Sequence, residues 1–425
     1  MSEVRIDRVR VMQAATGLVL LFALTLASPL CAFGTDKNKS KANKQTQPPK
    51  VIDYSYIVWP NPPAIPRIRY INWYASDKQQ RDIQGKVQKK SAWMDRLAGT
   101  QTQEDVFKLP FSLIQPNGLA TDTKGRIYTA DSKVGAIFIF DPETKDVELI
   151  KHRTHANFNR IVGLAMDDND RLFVSDPGLR HVLVFNADHK SQDVITDGMV
   201  EPGSMAIDTK NRLLYVSDVA QDQVLVYDAD SLKLLRRIGT SGHNHELTTS
   251  GNFAKPTGLA VDEDGNLYVC DTLNNRIEIF DADGTFIREY GKNGDGPGYF
   301  ARPKGVAIDS DGHIWVADGV QDRVQVFNKD WQLLISFGGH GLLPGQFAGL
   351  VNIASDTKRN RIITSEIYAG RVQAFRYITD AEADQMRKQR EAQRASTTAP
   401  KQDAAPATAS AAGNPEPSKE PKPKQ

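Results

Sequence analysis

The sequence predicts an all-β fold, a six-bladed β-propeller closed by an N-terminal strand, with disordered extensions at both ends. Three observations predict it. An acid ending an apolar strand recurs six times, at Asp131, Asp176, Asp218, Asp271, Asp318 and Glu366. Each acid follows an opening apolar residue (Leu119, Leu164, Met205, Leu259, Val306, Ile353) by 12 or 13 positions and precedes an aromatic (Phe140, Phe185, Tyr227, Phe280, Phe327, Phe375) by 9. The opening residues lie 41 to 54 positions apart, so the unit is fixed and only the connecting loops vary. A period of about 40–50 residues holding several short strands is the signature of propeller blades or another repeat array.

In chain order, residues 1–34 read as a signal peptide or membrane anchor. Arg5, Arg8 and Arg10 lead an apolar run from Ala15 to Leu26, Pro29 breaks it, and Ala32-Phe33-Gly34 places small residues at a cleavage site. Continued to Phe33, the run is long enough to stay as an uncleaved span. Cys31 offers lipidation as a third route, opposed by the bulky Pro29 and Leu30 before it. An exported protein, periplasmic or associated with the cell envelope, is the expectation, with membrane contact only through this segment. Residues 35–50 are polar and Lys-rich, cannot bury a core, and read as a flexible linker. Residues 51–110 form a lead-in, in which Pro60, Pro62, Pro63 and Pro66 fix an extended approach to a ring-closing strand at 67–75. Trp93, Met94 and Leu97 suggest a short helix after it.

Residues 111–379 carry the blades. In the fourth, Gly258–Asp262 is the innermost strand a, Leu267–Cys270 strand b, Arg276–Phe280 strand c and Thr285–Tyr290 strand d. The D-x-D-G turns starting at Asp262 and Asp309 place Gly where a hairpin needs positive φ. They lack the downstream Glu of a calcium loop and read as hairpins. The sixth unit holds only strands a, b and c, over Val351–Phe375, and residues 380–425 turn to a charged helix and an Ala/Pro/Lys-rich disordered tail. Its missing outer strand is 67–75, because an open array leaves strand edges unpaired.

Lys255-Pro256-Thr257-Gly258-Leu259-Ala260-Val261-Asp262, followed by Asn275-Arg276-Ile277-Glu278-Ile279-Phe280, resembles an NHL repeat. So do Arg302–Asp309 with Arg323–Phe327, and the loops Gly296–Phe300 and Gly345–Phe347; the other four units match more loosely. The lead-in from Trp59-Pro60-Asn61-Pro62-Pro63 to Arg67-Ile68-Arg69-Tyr70 is similar to that of exported bacterial six-bladed NHL proteins. The resemblance implies architecture and compartment, not chemistry. An enzyme of this fold, the lyase half of the peptide-amidating system, sets zinc-binding histidines at the mouth end of strand a. The matching positions here are Asn117, Val162, Gly203, Thr257, Lys304 and Val351, and none is His. Six-bladed lactonases and gluconolactonases hold calcium in the channel with carboxylates and Asn, and of these positions only Asn117 suits. Tripartite-motif ubiquitin ligases need Cys-rich zinc domains, whereas Cys31 and Cys270 are the only cysteines.

Charge and loop residues complete the reading. Residues 111–380 hold 28 basic against 37 acidic side chains, which disfavours nucleic acid. Arg276, Arg323 and Arg371, five residues after Asp271, Asp318 and Glu366, are expected to form structural ion pairs across the b–c turn. At the top mouth, Asn117, Arg160, Glu201, Lys255, Thr257, Arg302 and Lys304 are candidates for binding a protein, a peptide or a small anionic ligand. No cofactor is expected beyond a possible divalent metal on His243 and His245 or His152 and His155, whose HxH and HxxH spacings can chelate. The expectation is a monomeric, non-catalytic binding or scaffold module of the cell envelope. The alternative is a metal-dependent hydrolase or lyase with a top-face site.

Overall fold

Short runs of Val, Ile, Phe and Tyr bounded by Asp, Asn or Gly fold here as antiparallel strands, because branched and aromatic side chains suit a pleat and the bounding residues suit its turns. The computed structural model describes residues 53–76, 111–240 and 249–398. The expected signal or anchor, the linker, the short helix around Trp93, His243, His245 and the tail beyond residue 398 lie outside the described residues.

Two strands precede the repeats, β1 (Val58–Trp59) and β2 (Ile68–Tyr74). Blade 1 holds β3 (Pro116–Thr121), β4 (Ile127–Asp131), β5 (Ala136–Phe140) and β6 (Val147–Lys151). Blade 2 holds β7 (Leu164–Met166), β8 (Leu172–Asp176), β9 (His181–Phe185) and β10 (Ser191–Ile195). Blade 3 holds β11 (Pro202–Asp208), β12 (Leu213–Asp218), β13 (Gln223–Asp228) and β14 (Leu234–Ile238). Blade 4 holds β15 (Pro256–Val261), β16 (Leu267–Asp271), β17 (Arg276–Phe280) and β18 (Phe286–Tyr290). Blade 5 holds β19 (Pro303–Ile308), β20 (Ile314–Asp318), β21 (Arg323–Phe327) and β22 (Leu333–Gly338). Blade 6 holds β23 (Leu350–Asp356), β24 (Arg361–Glu366) and β25 (Arg371–Tyr377), and its sheet continues outward through β2 to β1. The chain is a six-bladed β-propeller.

Closure by the N-terminal strand follows from register. Ile68, Tyr70 and Tyr74 of β2 face Tyr377, Phe375 and Val372 of β25, and a bulge between Tyr70 and Asn72 turns Ile71 outward. Trp59 of β1 then covers the seam, with its ring 5.2 Å from Phe337 and 6.0 Å from Phe375. Helix α1 (Asp380–Thr398) follows β25 and is tied to the same segment by an Arg67–Asp380 pair and an Arg390 bond to the Pro63 carbonyl. Among the described residues no helix is long and apolar enough to cross a membrane.

The core is divided among the seams between blades. Six buried clusters each draw on two neighbouring blades, as where Tyr128 and Ile139 of blade 1 meet Leu172 and Phe185 of blade 2. Strands b and c are covered on both faces, so successive side chains feed alternate seams: Ile127 joins the seam to blade 6 and Tyr128 the seam to blade 2. Strand a lies innermost, and backbones of adjacent strands a approach closely near the top. A Cβ on Gly258 would stand 2.6 Å from Gly305 Cα, and one on Gly118 would stand 2.5 Å from the Val162 carbonyl oxygen. Only glycine permits that approach.

Candidate active site

The six acids that reveal the repeat are all fully buried at the top of strand b. Their work is mostly done by accepting backbone N–H groups. Asp176 accepts from Asn159 (2.6 Å) and Arg160 (2.9 Å) in the incoming loop and from Gly178 (2.9 Å) and Leu179 (3.2 Å) in its own b–c turn. Asp131 and Asp218 do the same with Ile114, Gln115, Lys133 and Val134, and with Val200, Glu201, Ala220 and Gln221. Each carboxylate thus fixes the loop that delivers the next residues to the mouth.

Of the three expected ion pairs the structure forms two, and the Asp318–Arg323 pair is corrected. Asp271 lies 2.9 Å from Arg276 Nε, and Glu366 lies 3.0 Å from Arg371 Nε. Asp318 instead accepts N–H bonds from Ala301, Arg302, Val320 and Gln321, while Arg323 donates to the Asp295 carbonyl at 2.6 Å. Turn shape decides the difference. The blade 5 turn wraps its amides around the aspartate and uses its lone pairs. In blade 4 the turn is a 3-10 helix (Thr272–Asn274) that Asp271 does not cap, which leaves an oxygen for Arg276. In blade 6 the acid is Glu, one methylene longer, and it reaches the guanidinium.

Arg276 also meets buried Glu278 (2.6 Å) and exposed Glu289 (2.7 Å), so one guanidinium serves three carboxylates. Burial pushes Glu278 up to about 7, against the pull of Arg276 and the Gly251 N–H bond. The folded chain therefore holds this proton to higher pH than the unfolded chain. The associated stability is present at low pH and is lost as pH rises from about 4.5 to about 7. We expect Glu278→Gln to exceed the parent by roughly 2 kcal/mol at pH 8 and to match it near pH 5, read from urea midpoints. A difference that does not change with pH would refute this.

At the mouth, the structure sorts the sequence candidates into engaged and free. Asn117 turns its amide back onto Ser132 Oγ (3.3 Å) in its own blade. Arg160 and Glu201 pair with each other at 2.8 Å. The Thr257 hydroxyl lies 2.6 Å from that of Thr272, and the two reach the Lys304 (2.9 Å) and Pro303 (2.8 Å) carbonyls across the seam between blades 4 and 5. That contact belongs to a series the sequence reading missed. Ser175 donates to the Gly203 carbonyl (2.6 Å), linking blade 2 to 3, and Ser365 to the Asn117 carbonyl (2.7 Å), linking blade 6 to 1. Asp222 accepts from the Lys255 N–H (2.8 Å), linking 3 to 4, and Asp322 from Gly349 and Leu350 (3.0 Å each), linking 5 to 6. Blade 1 has Ala130 before its acid and Gly135 at the fifth turn position, and among the described residues it makes no such link to blade 2. The signal was a hydroxyl beside the repeat acid or an aspartate closing its turn.

Lys255, Arg302 and Lys304 remain. Lys304 is half-buried, its stem lies across Gly319, and among the described residues its ammonium has no ion-pair partner. Burial, with the charges of Arg302 and Lys255, holds it below the ordinary lysine value. Cys270, fully buried below, is pushed up by burial and is inert.

The channel beneath the mouth encloses a cavity of about 390 Å³ between the six strands a. Its lower rim carries Asp122, Asp167 and Asp356, but these carboxylates face Arg126 (2.6 Å), Arg171 (2.7 Å) and Arg361 (2.8 Å). A calcium ion of the lactonase kind does not fit the mouth residues: the Asn117 amide is turned onto Ser132, the Asn352 oxygen accepts the Ile353 N–H, the threonines are engaged, and Lys304 is a cation. Among the described residues no three His, Cys, Asp or Glu side chains group as metal ligands. His152 and His155 are corrected as a chelating pair, since each turns its Nδ1 to a backbone amide, that of Phe158 (2.9 Å) and Lys151 (3.0 Å).

Residues 180–292 match the SMP-30/gluconolactonase/LRE-like region, and residues 247–367 match a 6-bladed beta-propeller family. A gluconolactonase from Zymomonas mobilis is 26% identical over 186 residues, 40% of this chain and 52% of that protein. The chain thus spans about half the length of the curated relative it matches. A protein of unknown function from Bacteroides thetaiotaomicron superposes with a TM-score of 0.51 at 15% identity, over 62% of this chain and 70% of that one. A gluconolactonase from Xanthomonas campestris reaches 0.48 at 20% identity, over 62% and 88%. Both are likenesses of fold alone. The sequence kinship corrects one expectation. The expectation of a non-catalytic binding or scaffold module, and not an enzyme, gives way to a propeller that is similar in sequence, over part of its length, to a gluconolactonase.

Proposed function

We propose that the chain is a hydrolase that opens lactones, or esters of comparable size, at the top mouth between blades 4 and 5. The observation that carries the reading is the 26% identity to a gluconolactonase, joined by the family match over residues 180–292. Lys304 supplies the chemistry this chain offers. When water adds to a lactone carbonyl, negative charge develops on its oxygen, and a half-buried ammonium with no ion-pair partner among the described residues stabilises that charge more in the transition state than in the substrate. The Thr257–Thr272 contact holds the backbone of Lys304 in place through its carbonyl, and the Gly319 contact sets the stem. The carboxylate and alcohol products leave without covalent attachment to the protein. The basic and apolar pattern of residues 1–34 supports export, so the substrate would be met in the cell envelope.

Proton release on adding glucono-1,5-lactone to the purified full chain tests this. We expect turnover above spontaneous hydrolysis, and a loss of about thirtyfold in kcat/KM for Lys304→Met, roughly 2 kcal/mol. Lys304→Arg should recover part of it. Equal rates for Lys304→Met and the parent would remove Lys304 from the reaction, and no acceleration on any of a panel of sugar lactones would overturn the reading.

A further inference from the structure

Several cations of the top face are engaged: Arg160 is paired with Glu201, Arg276 and Arg371 are spent on buried carboxylates, and Arg323 serves loop carbonyls. Lys255, Arg302 and Lys304 have no ion-pair partner among the described residues; Lys304 lies on the inner strand of blade 5, and Lys255 and Arg302 immediately precede the inner strands of blades 4 and 5. Their backbones are pinned. Lys255 is held at φ 54° with its N–H on Asp222, the Arg302 N–H is held by Asp318, and the Lys304 carbonyl accepts from Thr257. Both neighbours act on Lys304 through space. Three like charges carried on neighbouring pinned backbone positions repel, and a bound counter-charge relieves the repulsion. The body around them carries an excess of acids, so the positive potential is confined to this side of the mouth and focuses an anion there.

Building on the hydrolase reading, we propose that the substrate is an acidic lactone. It would carry a fixed negative group, carboxylate or phosphate, that Arg302 and Lys255 hold while its ring carbonyl meets Lys304. A neutral sugar lactone leaves these two cations without a counter-charge. A planar guanidinium and an ammonium together suit either anion, the first by paired hydrogen bonds and the second as a point charge.

The test compares glucaro-1,4-lactone and 6-phosphoglucono-1,5-lactone with neutral glucono-1,5-lactone on the full chain. Calorimetry with the open-chain acids glucarate and 6-phosphogluconate runs beside the rates. We expect kcat/KM to favour a charged lactone by about tenfold at low salt and by less as salt screens the field. The Arg302→Gln/Lys255→Gln variant should lower the charged-to-neutral ratio by about tenfold, with matching loss of binding of the open-chain acid. Whichever anion binds more tightly identifies the group, and either supports the proposal. A ratio unmoved by the double variant, or hydrolysis of the neutral lactone with no binding of either acid, overturns it while leaving the hydrolase intact. Binding of an acid that the double variant abolishes, with no lactone turned over, leaves the anion site standing and removes the hydrolase reading instead.

Discussion

Excision of residues 53–76 abolishes cooperative unfolding of the propeller. β2 supplies the outer strand that blade 6 lacks, and Ile68, Tyr70 and Tyr74 are each no more than 2% exposed. Burial of three such side chains contributes about 6–8 kcal/mol. The lost ladder to β25 strands further hydrogen-bonding groups beside a buried seam. The sum is comparable with the roughly 5–15 kcal/mol that stabilises a whole domain. The expected result is a urea titration without a sigmoidal transition, binding of a hydrophobic dye, and recovery when a peptide of residues 53–76 is added in trans. A truncated chain that unfolds cooperatively at the parent midpoint would show that closure is dispensable.

Arg371→Met should cost about 3–4 kcal/mol, because it leaves Glu366 buried without its partner. The same change at Arg323 should cost less than about 1 kcal/mol, since that guanidinium serves a loop carbonyl and leaves no carboxylate unpaired. Arg371 also donates to the Leu342 and Gln346 carbonyls, so it holds the incoming loop of blade 6 as well as the acid. Burial already pushes the Glu366 carboxyl up in the intact protein. Without Arg371 it shifts further, so the variant's deficit should deepen as pH rises above the ordinary glutamate value. Denaturant midpoints at pH 5 and pH 8 read both effects. A second change, Glu366→Gln, should recover part of the loss, and equal costs at Arg371 and Arg323 would contradict the assignment.

The contrast between those two arginines shows where the sequence is informative. Fold was legible because the acid-to-aromatic spacing of 9 is set by strand and turn lengths that any blade must keep. Closure was legible because the sixth unit stops one strand short. The pairing of Asp318 was not, because the same D…R spacing serves a wrapped turn in blade 5 and a 3-10 turn in blade 4, and turn shape follows from intervening residues with no motif of their own. At the mouth, the residues were found but not sorted. Arg160 and Lys304 have equivalent standing in the sequence, and only the placement of Glu201 removes the first from service. The kinship to a gluconolactonase entered the sequence reading only through its alternative, a hydrolase or lyase, for a related reason. The blade pattern is shared by binders and enzymes, and no spaced motif marks Lys304 as solitary.

The succession of contacts passing from each blade to the next has a mechanical consequence. At the mouth blade 2 grips 3, 3 grips 4, 4 grips 5, 5 grips 6 and 6 grips 1. Among the described residues blade 1, with Ala130 and Gly135, makes no such contact there and is tied to 2 at the opposite end of the channel, by Thr123 to Asp170. At the level of the mouth the ring is therefore a spring clip and not a hoop. Its compliant gap lies at the 1–2 joint, and in a six-membered ring the joint opposite is 4–5. Radial load from anything wedged into the mouth opens the gap and leaves the far side as the fulcrum. Lys255, Thr257, Arg302 and Lys304 sit on that fulcrum, where the mouth can widen without displacing them.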